Sequence, residues 1–179
     1  MIVLCGPSAS GKTEVSKLLK EKYGINKVVT TTTRKPRKDE KDGRDYFFVT
    51  KKEFEKLIHN DKLVEYTEYN GHYYGSQKDQ IDVDKCIIVD PQGLKKYSDI
   101  KRKRIVTFYL ETSEALRYER MLLRGDHKED ALKRLENDKI AFDKSNLPKV
   151  DFVIESEDNP LEEIVEKIYT SYKRHLKGR

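Results

Sequence analysis

The sequence holds only two cysteines, Cys5 and Cys86, and neither has a partner at metal-ligand or redox spacing. A disulfide framework, a zinc cluster and a dithiol redox centre are excluded on that ground. Each thiol borders an apolar run, so both are expected to be buried and reduced. The four histidines form no cluster of ligands either. Nowhere do 18 apolar residues follow one another, which leaves no candidate for a membrane-crossing helix and no membrane partner. The start, MIVLCG, lacks the charged and long apolar segments of a leader, and a cytoplasmic protein is expected. No Gly/Ser linker or low-complexity tract divides the 179 residues, so residues 1–179 read as a single domain. Charge, by contrast, is plentiful in both signs. Lys and Arg number 37 against 32 Asp and Glu, a net charge of +5 spread over the chain. That balance suits a small anionic ligand better than a nucleic-acid backbone, and no nucleic-acid partner is expected.

What is present is a rhythm of short apolar runs separated by helical patterns. The runs are IVLC (2–5), KVVTT (27–31), CIIVD (86–90), RIVTFYL (104–110) and DFVIES (151–156). They are continuous rather than alternating, as strands buried on both faces of a parallel sheet should be. Helical spacing is predicted for 12–22, 91–98, 113–123, 128–144 and 160–176, with Ser113 and Asn159 as helix starts. Alternation of strand and helix gives the fold class α/β, a parallel sheet with helices on both faces. Residues 34–82 break the rhythm. DYFFV, LVEYTEY and HYYGS are short, aromatic and half-polar, with a helical KKEFEKLIH between the first two, so a small antiparallel insert is expected there.

Between the first strand and the first helix the chain reads GPSASGKT, that is Gly6, Pro7, Ser8, Ala9, Ser10, Gly11, Lys12 and Thr13. This is the pattern G-x-x-x-x-G-K-[ST] in its required strand-to-helix context, the mark of the P-loop NTPase fold. The two glycines let the backbone wrap with its N–H groups inward, where they and the helix N-terminus hold nucleotide phosphates. Lys12 adds a mobile positive charge at the β- and γ-phosphates, and the Thr13 hydroxyl is placed to ligate Mg²⁺. An NTP site follows, but not the identity of the phosphoryl acceptor.

The stretch TTTTRKPR, Thr30 to Arg37, sets four hydroxyls before two arginines. Hydroxyls and guanidinium forks hold phosphate oxygens, yet a threonine run is also ordinary strand and Arg-Lys-Pro-Arg an ordinary solvated loop. The stretches TTTRKPR, DGRDYFFV, LVEY, GHYYGS and VDPQG, in that order behind GPSASGKT, resemble the guanylate kinase family over nearly the whole chain. These are P-loop nucleoside monophosphate kinases that phosphorylate GMP from ATP. The resemblance implies a core (1–33, 83–120, 145–179), a GMP-binding insert (34–82) and a helical lid (about 121–144). It assigns Arg34, Arg37, Tyr46 and Tyr74 to the GMP phosphate. Thr30, Gly75, Ser76, Glu65 and Asp90 surround the nucleotide, with Glu65 reading guanine through N1–H and the N2 amino group, an edge adenine does not present. Arg120, Arg124 and Arg134 become lid arginines that, with Lys12 and Arg34, act in catalysis. Arg117 is read as surface. Mg²⁺ is the implied cofactor, and GMP and ATP are the implied partners.

Local sequence alone leaves other readings open. LVEYTEY fits a half-exposed strand with polar residues toward water, and Tyr46 and Tyr74 fit aromatic packing. The chain also departs from the family pattern. Ile88 stands where a first Asp is usual, leaving Asp90 alone; Thr30 replaces the common Ser; Glu155 and Ser156 stand where Asn is common near adenine; and the lid loop is short. Two rivals stay in view: a P-loop kinase for another phosphorylated small molecule, and a non-catalytic module that binds phosphorylated protein segments. The sequence carries no signal for oligomeric state.

Overall fold

The computed structural model describes residues 1–38, 40–69, 71–100, 104–143, 145, 147–157 and 159–178. The chain begins with β1 (Ile2–Cys5), buried on both faces, and turns through the glycine-containing loop into α1 (Lys12–Tyr23). Val15 and Leu19 of α1, four residues apart, face inward, and Gly24 ends the helix at φ 67° with its N–H on the Leu19 and Lys20 carbonyls. There follow β2 (Asn26–Lys27), β3 (Thr31–Thr32), β4 (Phe47–Phe48), α2 (Lys51–His59), β5 (Leu63–Tyr69) and β6 (His72–Gln77). The helix α2 starts on a reciprocal cap in which Thr50 and Glu53 bond each other's backbone N–H. The remainder is β7 (Lys85–Ile88), α3 (Pro91–Asp99), β8 (Val106–Glu111), α4 (Glu114–Leu123), α5 (Lys128–Ala141), β9 (Phe152–Glu155) and α6 (Leu161–Lys177).

Two sheets result. The larger has the order β2-β7-β1-β8-β9, all parallel, with Ile2 level with Cys86 on one side and Val106 on the other. One face, with Ile2, Leu4 and Phe108, packs on Val15 and Leu19 of α1 and Val165 and Ile168 of α6; the other, with Val3 and Ile87, packs on Leu94 and Tyr97 of α3. Each of those side chains, buried fully, is worth about 1.5–3 kcal/mol of apolar transfer. Helices on both faces of a parallel sheet are what the continuous apolar runs predict.

The smaller sheet has the order β4-β3-β6-β5. Its β3–β6 and β5–β6 pairs are antiparallel as expected, but β3 and β4 run parallel, Thr31 level with Phe47. The run KVVTT is not one strand. Val28 makes the last bond to the core, its N–H on the Cys86 carbonyl, whereas Thr31 and Thr32 pair with Gly75 and Tyr74. Thr31 and Thr32 therefore belong to the smaller sheet, because the threonine backbone finds its hydrogen-bond partners in β6 and not in the core sheet.

Helix ends mostly follow the sequence reading. The Ser113 hydroxyl accepts from the Leu116 N–H as a cap. Asn159 does not cap α6: Pro160 takes that position, and the Asn159 amide donates back to the Glu155 carbonyl. The helix α5 stops at Ala141, with Phe142 as its cap; Lys144, the expected end, lies outside the described residues.

Candidate active site

The central strand β1 has β7 on one side and β8 on the other, so the connections diverge at its C-terminal end. A crevice opens at such a point in parallel α/β sheets. GPSASGKT starts there. Gly6 packs so closely on β8 that a Cβ would meet the Leu110 carbonyl oxygen at 2.8 Å, and Gly11 holds φ 93° at the start of α1. Ala9 also takes a positive φ, 60°, a conformation that costs a residue with a side chain. Its methyl packs on the small cluster of Met121, Ala131 and Leu135 that joins α4 to α5, which offsets that cost. The Lys12 ammonium folds into the loop, donating to the carbonyls of Gly6 (2.6 Å) and Pro7 (2.7 Å) and to the Ser10 hydroxyl (3.2 Å). Burial lowers its pKa. Cys5 and Cys86 are buried, and burial pushes both thiols up to about 12, so they stay protonated as expected.

Arg120 lies over this loop, donating to the Ala9 carbonyl at 3.3 Å and the Ser156 carbonyl at 3.2 Å. With Lys12, Thr13 and Arg124 it lines a cavity of about 350 Å³. A neighbouring cavity of about 230 Å³ is walled by Gly11, Val15, Ser156, Asn159, Leu161 and Ile164. Ser156 is buried, its hydroxyl tied to the Thr112 hydroxyl and the Glu111 carbonyl, while Asn159, which the sequence reading used only as a helix start, forms part of the wall. Arg134 does not line either cavity. It pairs at 3.5 Å with Asp126, which also binds Arg124 and whose pKa is lowered first by that hydrogen bond.

Arg117 is not a surface residue. It is buried, and its guanidinium donates at 2.8 Å to Asp138 of α5, also buried. The other contacts of the Asp138 carboxylate are the Ser8 N–H at 2.8 Å and the Ser8 hydroxyl at 3.2 Å. Arg117, Arg120 and Arg124 recur at helical spacing along α4 and its C-cap, and the face they share turns toward the phosphate loop rather than toward water.

A third cavity, of about 230 Å³, lies across β1 from α4 and α5, lined by Glu65, Thr67, Ile88, Asp90, Gln92 and Gly93. Glu65 is held in it by a relay. The buried Tyr97 hydroxyl donates to the Ser76 hydroxyl at 2.9 Å, which donates to Glu65 at 2.6 Å. Burial raises the Glu65 pKa, and the nearby Asp90 charge adds to the rise. Asp90 also caps α3, accepting from the Gly93 N–H at 2.7 Å. Gly75 has a packing reason of its own: a Cβ there would sit 2.8 Å from the Glu65 carbonyl oxygen and 3.1 Å from the Phe54 ring.

The insert gathers Arg34, Tyr46 and Tyr74. The Arg34 guanidinium lies 5.4 Å from the Tyr46 ring centre, and the Tyr46 and Tyr74 rings meet edge to face at 6.2 Å. Arg34 is engaged by Glu40 at 2.8 Å and by the Lys35 carbonyl at 2.7 Å; the Glu40 hydrogen bond, ahead of a smaller one from Tyr74, raises its pKa. Arg37 is exposed, and its N–H donates to the same Glu40 carboxylate. The threonine row turns out to be a joint. Thr31 accepts from the Gln77 amide, Thr32 donates to the Tyr73 carbonyl, Thr33 accepts from the Tyr73 N–H, and the Thr30 carbonyl accepts from the Phe47 N–H. These bonds set the angle at which Arg34 leaves the sheet. Glu40, Tyr97 and Asp138 were missed by sequence reasoning, since each works through a partner distant in the chain or outside the quoted motifs.

Among the described residues no group of three or more His, Cys, Asp or Glu is arranged to hold a metal ion. One exposed hydroxyl, Thr13, beside Lys12 is the donor set of an ion carried on nucleotide phosphates, which needs only one or two protein oxygens. No helix among the described residues is long and apolar enough to cross a membrane.

The family model described as guanylate kinase matches residues 1–174. The guanylate kinase of Anaplasma phagocytophilum is 36% identical over 178 residues, covering 94% of this chain and 83% of that protein. That of Ehrlichia canis is 33% identical over 190 residues, covering 100% and 90%. The crystal structure of guanylate kinase from Anaplasma phagocytophilum superimposes with a TM-score of 0.65 at 28% identity, covering 98% of this chain and 85% of that one.

Proposed function

The chain belongs to the guanylate kinase family, and from that premise we propose how its three cavities divide the work of an ATP:GMP phosphotransferase. The enzyme transfers the γ-phosphoryl group of ATP to GMP, giving GDP and ADP. The carrying observation is the placement of a half-buried, relay-held carboxylate, Glu65, across β1 from a complete phosphate loop. In this reading ATP lies on Gly6–Thr13 under the lid, and the cavity walled by Asn159 and Ile164 takes its base. GMP lies in the Glu65 cavity, with Asp90, Ser76 and Thr30 around the base and Arg34, Arg37, Tyr46 and Tyr74 on the phosphate.

The acceptor phosphate, with a second pKa near 6, is already anionic at neutral pH, so its oxygen needs no general base. What the chain must supply is position and positive charge. Lys12, turned inward on its own loop, exchanges carbonyl contacts for phosphate oxygens when the nucleotide arrives. Arg120 and Arg124 meet the donor phosphates from the lid, and Arg134 joins them by releasing Asp126. The Thr13 hydroxyl would hold Mg²⁺, which supplies charge neutralisation on the donor phosphates when bound. Because the arginines are split between insert and lid, both close on the core with two substrates present, excluding water and hence ATP hydrolysis.

A coupled assay of ADP formation with ATP and each of GMP, AMP, CMP and UMP tests this. GMP is expected to exceed the others by factors on the order of 10⁴ where buried hydrogen bonds are lost. Equal use of AMP or a sugar phosphate would move the enzyme to another acceptor, and no turnover with any of them would favour a binding module.

A further inference from the structure

Between the arginine motif and DGRDYFFV lies Glu40, to which no motif assigns a role. We propose that Glu40 is a positioning residue for the acceptor phosphate, fixing Arg34 and Arg37 in one rigid corner before GMP arrives. The inference rests on the assignment of those arginines to the GMP phosphate. Its two carboxylate oxygens do different things. Oε1 accepts from Nη2 of Arg34 at 2.8 Å, and Oε2 accepts from the backbone N–H of Arg37 at 2.8 Å. The ion pair is mostly buried, with 16% and 19% of the two side chains exposed. Hydrogen bonds from Arg34 and from the Arg37 N–H hold the Glu40 carboxyl below the usual glutamate range, so it is charged at neutral pH.

A guanidinium has five N–H donors in a fixed plane. Glu40 and the Lys35 carbonyl take one donor each from the two terminal nitrogens, and the rings of Tyr46 and Phe48 lie 5.4 and 5.9 Å from its centre. The plane and azimuth of Arg34 are thus set by protein groups, leaving the remaining donors for a phosphate. An arginine so oriented loses no rotamer freedom on binding, which is the usual gain from pre-organisation.

The same carboxylate could instead be an anion standing in for phosphate, to be displaced by GMP. The geometry points to a fixed role. Glu40 also donates its own N–H to the Arg37 carbonyl at 3.1 Å, so side chain and backbone close a reciprocal turn on Arg37 that does not depend on the guanidinium. A displaced Glu40 would have to break that turn as well.

The two roles give opposite signs. Removing a positioning group raises the KM for GMP; removing a competing anion lowers it. Steady-state kinetics of Glu40→Ala should show the KM for GMP up by about tenfold or more, the loss expected for a charge-assisted contact, with the KM for ATP within about twofold. Glu40→Gln, whose amide oxygen can still accept one bond, should fall between Glu40→Ala and the parent. Guanosine, which lacks the phosphate, should bind both variants and the parent alike by calorimetry. An unchanged or lower KM for GMP in Glu40→Ala overturns the proposal, as does a parallel loss of guanosine binding and melting temperature in both variants. If the parent protein itself fails to phosphorylate GMP, the acceptor assignment fails, whatever Glu40 does.

Discussion

The carboxylate of Asp138 lies 2.8 Å from the backbone nitrogen of Ser8, a residue 130 positions earlier in the chain. One oxygen of an α5 side chain thereby takes an N–H of the phosphate loop, and the same oxygen pairs with Arg117. The contact ties α5, and through Arg117 also α4, to the loop that carries Lys12. Arg117 Nε is buried without a hydrogen-bond partner, which makes its charge depend heavily on Asp138.

Asp138→Ala should therefore cost about 3–5 kcal/mol, because it strands a buried guanidinium. For a chain of this size that is a fall in melting temperature on the order of 10 °C. The double variant Arg117→Met/Asp138→Leu removes both charges and should lose less than either single change alone. Thermal unfolding of the four proteins gives the coupling directly, and additive losses would mean that the pair does not act as one.

Lys12→Ala should lower kcat by about a hundredfold or more, the equivalent of roughly 3 kcal/mol of transition-state charge. Since Lys12 also bonds the Gly6 and Pro7 carbonyls, a modest fall in melting temperature accompanies it. Near-normal turnover in the folded variant would remove Lys12 from the chemistry.

Glu65 carries a stability cost for its function. Its pKa is raised by burial, so the folded state binds this proton more tightly than the unfolded chain does. The sign follows: the group opposes folding where it is ionised, above its folded pKa, and that penalty fades as pH falls through it. Glu65→Gln should melt at the same temperature as the parent or higher at pH 7, while GMP turnover falls by roughly tenfold to a thousandfold because the amide turns a donor toward guanine's donors. In the parent, the KM for GMP should also rise on acidification at a higher pH than an ordinary glutamate would give, and that limb should be missing from the variant.

The relay behind Glu65 can be cut from its far end. Tyr97→Phe removes the hydroxyl that donates to Ser76 and leaves the ring in place. The loss of one buried hydrogen bond should cost about 1 kcal/mol in chemical denaturation and raise the KM for GMP a few-fold without changing that for ATP. An unaltered KM would show that Ser76 alone holds the carboxylate.

Much of this molecule is written locally. GPSASGKT needs glycine at Gly11 because of a positive φ, a demand that acts within the loop, whereas Gly6 also answers to the Leu110 carbonyl on β8, far along the chain. The parallel sheet follows from continuous apolar runs, and α2 from a cap and spacing that lie in one nine-residue stretch and its neighbour, Thr50. Glu65, Arg34, Tyr46 and Tyr74 could be named through the order of short motifs, though not through their local spacing. The tertiary structure decided the rest. Thr31 and Thr32 left the core sheet because β6 offered their backbone partners, Gly75 and Tyr74, 44 and 42 residues down the chain. Asp138 carries no signal of its own in the sequence, since periodicity can say which residues share a face but not which face meets another element. Arg117, Asp138 and Ser8 form one network, and Tyr97, Ser76 and Glu65 another, only when separate helices and strands stack. A buried polar group is stable only with its partner in place, and the partner's position is a property of the packed molecule rather than of either residue's neighbours in sequence.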